Sequence, residues 1–161
     1  MLRLRSTSLA TTHAVAAALA SVVRTGDVVV LAGEMGAGKT AFAQGFGAAL
    51  GVTEHMTSPT FTLVHSHPAG KLTLHHADLY RLSTQHEVAD LALAELVEAD
   101  GVLLVEWGDV VARSLGDHLF VRLSHVDDDE QARDVEITAV GRTWASRWER
   151  IEAAVCGVVP C

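Results

Sequence analysis

The chain has 161 residues, a formal net charge of -8 and an isoelectric point near 5.5. A chain of this length can bury a core of its own, so residues 1–161 are predicted to form one domain. The acidic balance excludes a broad cationic surface for nucleic acid backbones, so we expect no direct DNA binding and, for any role with RNA, a protein partner.

The first predicted elements are an amphipathic helix and a buried strand. Ser8 or Thr11 can cap the helix, and apolar residues recur at every third or fourth position as far as Val23. Residues 28–31 are continuously apolar, as in strands of a parallel sheet that helices cover on both faces. No apolar run reaches the ~20 residues of a membrane span, so no membrane association is expected.

A glycine-rich turn, GEMGAGKT at residues 33–40, follows that strand and leads into a helix predicted over residues 39–50. The turn satisfies the phosphate-binding pattern G-x-x-x-x-G-K-[ST] in the strand-turn-helix context that the pattern requires. In such a turn Lys39 bridges the β- and γ-phosphates and the Thr40 hydroxyl ligates Mg2+. The predicted nucleotide-binding residues are Glu34, Met35, Gly36, Ala37, Gly38, Lys39, Thr40 and Ala41.

A hydroxyl-rich loop, MTSPTFTLVH at residues 56–65, comes next. Thr57, Ser58 or Thr60 could complete the magnesium shell or sense the γ-phosphate, and a plain capped turn is the alternative. Alternating segments at residues 61–66 and 71–76 predict a β-hairpin with its turn in HSHPAGK, between the two segments. Helical spacing then predicts a helix over residues 85–99.

Two carboxylates are candidates for a magnesium site, because a nucleotide triphosphatase needs an acid at the end of a strand beside the first one. Glu106 ends the apolar strand GVLLVE, and Asp78 follows the strand LTLHHA. Either could instead be structural, Glu106 as a strand-end acid facing solvent and Asp78 as a helix cap. With Lys39 they are the predicted catalytic residues, and the sequence does not decide which acid ligates the metal directly.

Other polar features favour an adenine nucleotide over a zinc site. Four histidines lie on the predicted hairpin, but the adjacent His75 and His76 point to opposite faces, so we expect no four-ligand convergence with His65 and His67. The chain contains no asparagine and so lacks the Asn-Lys-x-Asp loop with which Ras-type GTPases read guanine. ATP is therefore the expected nucleotide. Arg81 could neutralise phosphate charge or face a partner.

The C-terminal part predicts a short helix at residues 110–115 and a second hairpin around the acidic tip DDDEQA, followed by a last helix from about residue 143 to 155. Cys156 and Cys161 are too few and too close together for a disulfide framework or a zinc site. A reducing cytoplasm is the simplest expectation. The order of elements predicts an α/β, three-layer fold of the P-loop NTPase kind, with a mixed, largely parallel central sheet and β-hairpins.

Taken together, GEMGAGKT, SPTF, DLYRL and LLVEW resemble, in this order and spacing, the TsaE (YjeE) family of bacterial P-loop ATPases. The resemblance covers about residues 8–125, and the four motifs jointly are far more specific than the glycine-rich turn alone. It implies an ATP- and Mg2+-binding subunit needed for threonylcarbamoyladenosine formation in tRNA. It also implies docking on a TsaB–TsaD pair, which ATP hydrolysis resets and which holds the tRNA.

The resemblance assigns roles to individual residues as well. Lys39 and Thr40 fall on the family's phosphate and magnesium positions, and Asp78 and Glu106 on its acidic positions. Trp107 falls on the aromatic residue that follows the second acid. These assignments agree with those that the residues themselves suggest.

Residues 58–61 fall on a loop that resembles switch I of other nucleotide-binding proteins. The chain departs from the family pattern at Met35, where the family often has leucine, a nearly volume-conserving change. A second departure is Gly108-Asp109, where a proline or similar turn residue is common. This second difference concerns the geometry just past the strand that ends at Glu106.

Two other functions stay open at this point. A nucleotide-gated adaptor would present different surfaces with ATP and with ADP, and its hydrolysis would be incidental. A small-molecule kinase would need arginines on a lid, and the scattered arginines here form no such cluster. If the chain is an ATPase, hydrolysis by the isolated chain should be slow, because the sequence supplies no obvious arginine finger.

Overall fold

The fold is built on a β-sheet with helices on both of its faces. The computed structural model describes residues 1–59, 64–80, 92–98, 100–107 and 112–161. The strands are β1 (Leu2–Ser6), β2 (Val28–Ala32), β3 (Val64–Ala69), β4 (Leu72–Asp78), β5 (Gly101–Glu106), β6 (His118–Val126) and β7 (Asp129–Val140). The helices are α1 (Leu9–Ala20), α2 (Lys39–Leu50), α3 (Leu93–Leu96), α4 (Arg142–Ala145) and α5 (Trp148–Cys156), with a 3-10 turn at Ala112–Ser114.

The described strands form one mixed sheet in the order β1-β7-β6-β2-β5-β4-β3. Its centre is parallel, since β2 pairs with both β5 and β6, and β5 pairs with β4. Antiparallel hairpins flank this centre, β3 with β4 on one side and β6 with β7 on the other, where β1 is added. The predicted α/β fold with a mixed, centrally parallel sheet is confirmed.

Apolar side chains cover both faces of the central strands. β2 and β5 are buried along their whole length, because parallel strands between two helical layers expose neither face. On one face α1, α2 and α5 pack over a large cluster that includes Leu31 and Leu104. On the other face Val30 and Leu103 belong to a smaller cluster with Leu93 of α3. The carboxyl ends of β2, β4 and β5 are thereby held at one edge of the sheet.

The strand β1 is missing from the sequence-based prediction, which begins with a helix. Its five residues alternate too briefly to indicate a strand, and its pairing with β7 bridges more than a hundred residues of chain. Two exposed cross-strand ion pairs accompany that pairing, Arg3 with Glu136 at 2.6 Å and Arg5 with Asp134 at 2.8 Å. The helix after it is confirmed from its cap onward, since Ser8 Oγ accepts a hydrogen bond from the Thr11 amide.

Both predicted hairpins are present, but their turns are shorter than predicted. In the first, β3 continues through Pro68, and only Gly70 and Lys71 form the turn. A proline is tolerated there because β3 is an edge strand, so the ladder loses no N–H donor. In the second, only Asp127 and Asp128 separate the strands, with Asp128 in the left-handed region at φ 67°. The acidic residues after them belong to β7.

The predicted C-terminal helix is broken into α4 and α5 around Arg147. This side chain turns inward and is only 4% exposed, with its guanidinium bound to both oxygens of the buried Asp27 at 2.7 and 2.8 Å. It also donates to the carbonyls of Val22 and Thr143, and its Cζ lies 4.1 Å from the centre of the Trp144 ring. The buried ion pair therefore ties the C-terminal helices to the turn before β2, a long-range contact that helical periodicity does not reveal.

Several predictions fall partly outside the described residues. Of the helix predicted over residues 85–99, only its end is described, as α3. Of the helix predicted over 110–115, the described part is the 3-10 turn. The start of the first predicted hairpin strand, residues 61–63, lies outside as well. None of the helices in the described ranges is long and apolar enough to cross a membrane.

The two cysteines are joined to each other. A disulfide links Cys156, at the end of α5, to Cys161, at the end of the chain. The prediction that they form no disulfide framework and no four-ligand zinc site is compatible with this single bond. The thiols that made a reducing compartment the simplest expectation are, however, oxidised in the structure.

The carboxylate of Asp117 caps α4 and gives the fold one pH-sensitive contact. Its Oδ2 accepts hydrogen bonds from the Thr143 amide at 2.9 Å and from the Thr143 hydroxyl at 2.7 Å. These bonds favour the charged form, so the pKa of Asp117 lies below its ordinary value of 3.8. The capping contribution is therefore complete above about pH 3.8 and is lost as the pH falls through the lower, folded-state pKa.

Asp117→Ala should accordingly lower the melting temperature at neutral pH, with a difference from the wild type that shrinks as the solution is acidified below about pH 3.8. Thermal unfolding of both proteins across this pH range measures the difference. Asp127→Ala, in the exposed β6–β7 turn, is the matched control and should show little difference at any pH. A difference for Asp117→Ala that stays constant with pH would contradict the capping role.

Candidate functional site

The glycine-rich turn lies between the end of β2 and the start of α2. All three of its glycines adopt backbone conformations that other residues avoid, Gly33 at φ 144°, Gly36 at φ 77° and Gly38 at φ 101°. A side chain at Gly33 would also collide with the carbonyl oxygen of Leu123, which lies 2.3 Å from the ideal Cβ position. The turn is thus fixed both by its own backbone and by the neighbouring strand β6.

The helix α2 begins at Lys39, directly after this turn, and its N-terminus carries a partial positive charge. The helix has twelve residues, and its first turn reads Lys-Thr-Ala-Phe, so no carboxylate competes for that positive end. Lys39 is 5% exposed. Its Nζ donates to the carbonyls of Gly33 and Glu34 at 2.7 Å each, and lies 3.9 Å from the centre of the Trp107 ring. A glycine-rich turn, a helix N-terminus and a lysine ammonium group are groups that can bind an anion such as phosphate.

Glu106 ends β5, directly beside the end of β2. In the parallel register Leu31 lies opposite Glu106, which places the carboxylate next to the start of α2. Glu106 is 2% exposed, and its Oε1 accepts a hydrogen bond of 3.2 Å from the Thr40 hydroxyl. The alternative that Glu106 is a strand-end acid facing solvent is therefore wrong.

Asp78 ends β4, the next strand along the sheet, and pairs in register with Glu106. It is 8% exposed. One oxygen accepts a short hydrogen bond from the Ser58 hydroxyl, and the other accepts from the Tyr80 amide at 3.0 Å. The second bond is a local turn of the type that aspartate often forms. Asp78 thus caps a local turn, while the helix that the alternative interpretation places after it falls on residues outside the described ranges. Its carboxylate also borders the site.

A cavity of about 410 Å3 brings the predicted site residues together. Most of the predicted nucleotide-binding residues line it with both predicted acids, namely Met35, Gly36, Gly38, Lys39, Thr40, Ala41, Asp78 and Glu106, and Ser58, Tyr80 and Trp107 complete its wall. Glu34 and Ala37 are not among these lining residues. Their backbones help to shape the turn, since the Glu34 carbonyl accepts hydrogen bonds from both the Ala37 amide and Lys39.

The oxygen atoms around Thr40 are of the kind that Mg2+ prefers as ligands. Mg2+ prefers oxygen ligands and is typically held by one or two carboxylates, with phosphates and water filling its other positions. A hydroxyl and two carboxylates on neighbouring strand ends, Thr40, Glu106 and Asp78, supply such ligands on one wall of the cavity. These residues therefore fit a magnesium ion bound beside nucleotide phosphates.

A second cavity, of about 400 Å3, shares Gly38 and Ala41 with the first and was not predicted from the sequence. It lies between the start of α1 and the β6–β7 hairpin, and its other lining residues are Leu9, Thr12, Glu130, Gln131 and Arg133. Arg133 donates to the carbonyls of Ala37 and Gly36 at 3.0 and 3.4 Å. No local pattern marks this arginine, because its partners lie almost a hundred residues earlier in the chain.

The loop hydroxyls and the histidines have separate outcomes. Ser58 contacts Asp78, Thr57 is exposed, and Thr60 lies outside the described residues, as does Arg81. In the described ranges, no group of three or more histidines, cysteines and acids is arranged to hold a metal ion. His76 was treated as a hairpin histidine, yet its Nε2 lies 2.5 Å from Glu106 Oε2. The alternation of β4 could have indicated this, since His76 precedes Asp78 by two residues.

Comparisons with known proteins agree with this geometry. The family model described as threonylcarbamoyl adenosine biosynthesis protein TsaE matches residues 6–135. The chain is 37% identical over 151 residues to the tRNA threonylcarbamoyladenosine biosynthesis protein TsaE of Bacillus subtilis, covering 93% of each chain. It is 40% identical to the protein of the same name from Streptomyces coelicolor, covering 80% of this chain and 90% of that one.

A solved structure is similar as well. The crystal structure of Bacillus subtilis YdiB superposes with a TM-score of 0.78 and 32% sequence identity, covering 94% of this chain and 93% of that chain. The similarity therefore extends over nearly the whole fold and not only over the glycine-rich turn.

Proposed function

The chain belongs to the TsaE family, and from that premise we propose that it is a magnesium-dependent ATPase subunit acting in tRNA threonylcarbamoyladenosine biosynthesis. One observation carries the proposal. The hydroxyl of Thr40, at the end of the phosphate-binding turn, is hydrogen-bonded to the buried carboxylate of Glu106 on the adjacent parallel strand. A nucleotide triphosphatase needs this pair to hold a metal ion against the β- and γ-phosphates.

The phosphate chain would lie in the turn that precedes α2. Backbone N–H groups and the N-terminus of α2 would face the anion, and the ammonium group of Lys39 would leave the Gly33 and Glu34 carbonyls to bind phosphate oxygens. The neighbouring cavity, which shares Gly38 and Ala41 with the first, would take the nucleoside. Arg133 already braces the turn from that side.

Thr40 and Glu106 would hold the magnesium ion, which supplies charge neutralisation to the phosphates when bound. Glu106 is favoured over Asp78 for direct ligation because it is the acid bonded to Thr40. Asp78, one strand further away, would orient the attacking water and accept its hydrogen bond. Since Ser58 donates a hydrogen bond to Asp78, the hydroxyl-rich loop contacts the acid that would orient the attacking water.

Hydrolysis by the isolated chain would be slow. In the part of the chain that the structure describes, no arginine lines the cavity next to Lys39. A missing arginine finger lowers the rate of phosphoryl transfer by about 10³ to 10⁵ unless a partner supplies one. We propose that the partner is a TsaB–TsaD pair in the cytoplasm and that the tRNA is bound by this pair. The net charge of -8 suits such an indirect role.

The experiment that tests the metal role is Glu106→Gln. This variant keeps the size of the side chain but removes its charge, so it should still bind ATP while its magnesium-dependent turnover falls by about 100-fold or more. Calorimetric ATP titration and a phosphate-release assay measure the two quantities. Glu149→Gln, on the exposed face of α5, is the matched control and should match the wild type in both. A Glu106→Gln protein with wild-type turnover would contradict the assignment.

A nucleotide-gated adaptor is the second candidate, and the lack of a described arginine in the cavity favours it. In that case binding of ATP would suffice, and the Ser58–Asp78 contact would connect the nucleotide to a partner-facing loop. The same Glu106→Gln variant separates the two functions. If it binds ATP, does not hydrolyse it and still supports many rounds of tRNA modification, the adaptor function holds.

A further inference from the structure

His76 is a buried polar residue whose contact with the metal-binding acid is not explained by packing. It is 0% exposed and lies on β4 under α2, on the same face as Leu74 and Asp78, because residues two apart share a face of a strand. Its Nε2 lies 2.5 Å from Glu106 Oε2. In the register of β4 and β5, Asp78 is opposite Glu106, so His76 reaches the carboxylate diagonally across the two strands.

The two oxygens of Glu106 have different partners. Oε1 accepts from the Thr40 hydroxyl, on the side where the phosphates would lie, and Oε2 accepts from His76 on the core side. A carboxylate only accepts hydrogen bonds, so Nε2 carries the proton of this contact. Among the described residues, the other ring nitrogen, Nδ1, has no hydrogen-bond partner. The imidazole therefore has one polar function in the described structure, and that function is directed at Glu106.

We propose that His76 is a positioning residue, which holds Glu106 so that one carboxylate oxygen is presented to magnesium beside Thr40. The inference rests on the proposed function, since it concerns the same metal. A buried carboxylate with one oxygen unpaired would rotate or shift toward any other donor, and the hydrogen bond from Nε2 prevents this. Residues that orient a metal-binding side chain in this way typically contribute 10- to 100-fold to metal affinity or activity.

His75 supplies a matched control, because it is the same residue type at the adjacent position of the same strand. Its side chain lies on the opposite face, where Nδ1 is 2.7 Å from the hydroxyl of Ser66 in β3. It is not among the residues that contact Glu106 or line the nucleotide cavity. Replacing His75 should therefore disturb the same strand without disturbing the carboxylate.

The test compares the affinity for AMPPNP, a non-hydrolysable ATP analogue, in EDTA and in excess magnesium by calorimetry. His76→Leu should leave the affinity in EDTA near the wild-type value, because that binding depends on the phosphate turn. The gain in affinity on adding magnesium should fall by about 10- to 100-fold. His76→Gln, whose amide nitrogen can replace Nε2, should recover most of the gain. His75→Leu should match the wild type.

A double variant separates positioning from general support of the fold. In a Glu106→Gln background the target of His76 is already changed, so adding His76→Leu should cause little further loss of the magnesium effect. If the two losses multiply instead, the inference is overturned. It is also overturned if His76→Leu lowers the affinity equally in EDTA and in magnesium, since that result indicates a structural role.

Two further outcomes distinguish this inference from the proposed function. If magnesium does not strengthen AMPPNP binding by the wild type, the proposed metal site fails, and the role of His76 fails with it. If Glu106→Gln abolishes the magnesium effect but His76→Leu does not alter it, only the inference about His76 fails.

Should His76→Leu not fold, His76→Gln and His76→Asn make the same comparison. Glutamine places its amide nitrogen near the position of Nε2, whereas asparagine places it near the position of Nδ1. Equal magnesium effects in these two variants would overturn the inference.

Discussion

Replacing Lys39 with alanine is expected to reduce magnesium-dependent ATP turnover by at least about 100-fold and to weaken ATP binding strongly. The ammonium group is nearly buried at the start of α2, beside the backbone N–H groups that would face the β-phosphate. Removing it eliminates the one positive side chain of the cavity in the described residues and leaves the phosphate charge poorly compensated. A phosphate-release assay and an ATP titration measure the two effects.

The chain provides an unusually clean control for this variant, because it contains only two lysines. Lys71 lies in the exposed β3–β4 turn, away from the cavity, so Lys71→Ala should bind and hydrolyse ATP like the wild type. Circular dichroism of both variants establishes that they are folded. Unchanged turnover in a folded Lys39→Ala protein would remove the assignment of residues 33–40 as a phosphate-binding turn.

The second large effect is expected on stability, from Asp27→Ala. The Asp27 carboxylate is 5% exposed and accepts two hydrogen bonds from the Arg147 guanidinium and one from the Arg24 amide. Removing one partner of a buried ion pair leaves the other charge unpaired in the interior, at a cost of about 3 to 5 kcal/mol. For a chain of this size the melting temperature should fall by roughly 10 °C or more.

An exposed ion pair is the control for this prediction. Asp134 pairs with Arg5 at 2.8 Å, but both side chains are about half exposed, so Asp134→Ala should leave the melting temperature near the wild-type value. Thermal unfolding of the three proteins makes the comparison. If Asp27→Ala melts within a few degrees of the wild type, the buried pair does not hold the C-terminal helices in place as described. A double replacement, Asp27→Leu with Arg147→Met, should be less destabilised than the single variant, because no charge is left unpaired.

The arrangement of the candidate site could largely be predicted from the sequence because each of its parts has a local pattern. The glycine-rich turn is specified by adjacent residues, and continuous apolar strands that end in acids place Asp78 and Glu106 at the same edge of a parallel sheet. The sequence left open which of the two acids would ligate the metal directly. The Thr40–Glu106 hydrogen bond, a contact between residues 66 positions apart, favours Glu106.

The features that the sequence did not reveal depend on distant partners. β1 is stabilised by pairing with β7, Arg147 interrupts the last helix because Asp27 attracts its guanidinium, and Arg133 reaches the phosphate-binding turn from the second hairpin. Local periodicity contains no information on such contacts. The contact of His76 could be predicted only in part. The alternation of β4 places it on the face of Asp78, but only the register with β5 brings it to Glu106.

The measurement that tests the central claim most directly is ATP turnover with magnesium, first for this protein alone and then mixed with a TsaB–TsaD pair. We expect slow turnover by the isolated protein, because no described arginine lines the cavity next to Lys39. We expect strong stimulation by the pair, because a partner could supply an arginine there. The Lys39→Ala protein should stay inactive both alone and with the pair. Tight ATP binding with no stimulation by the pair would contradict a partner-driven ATPase and favour the adaptor function.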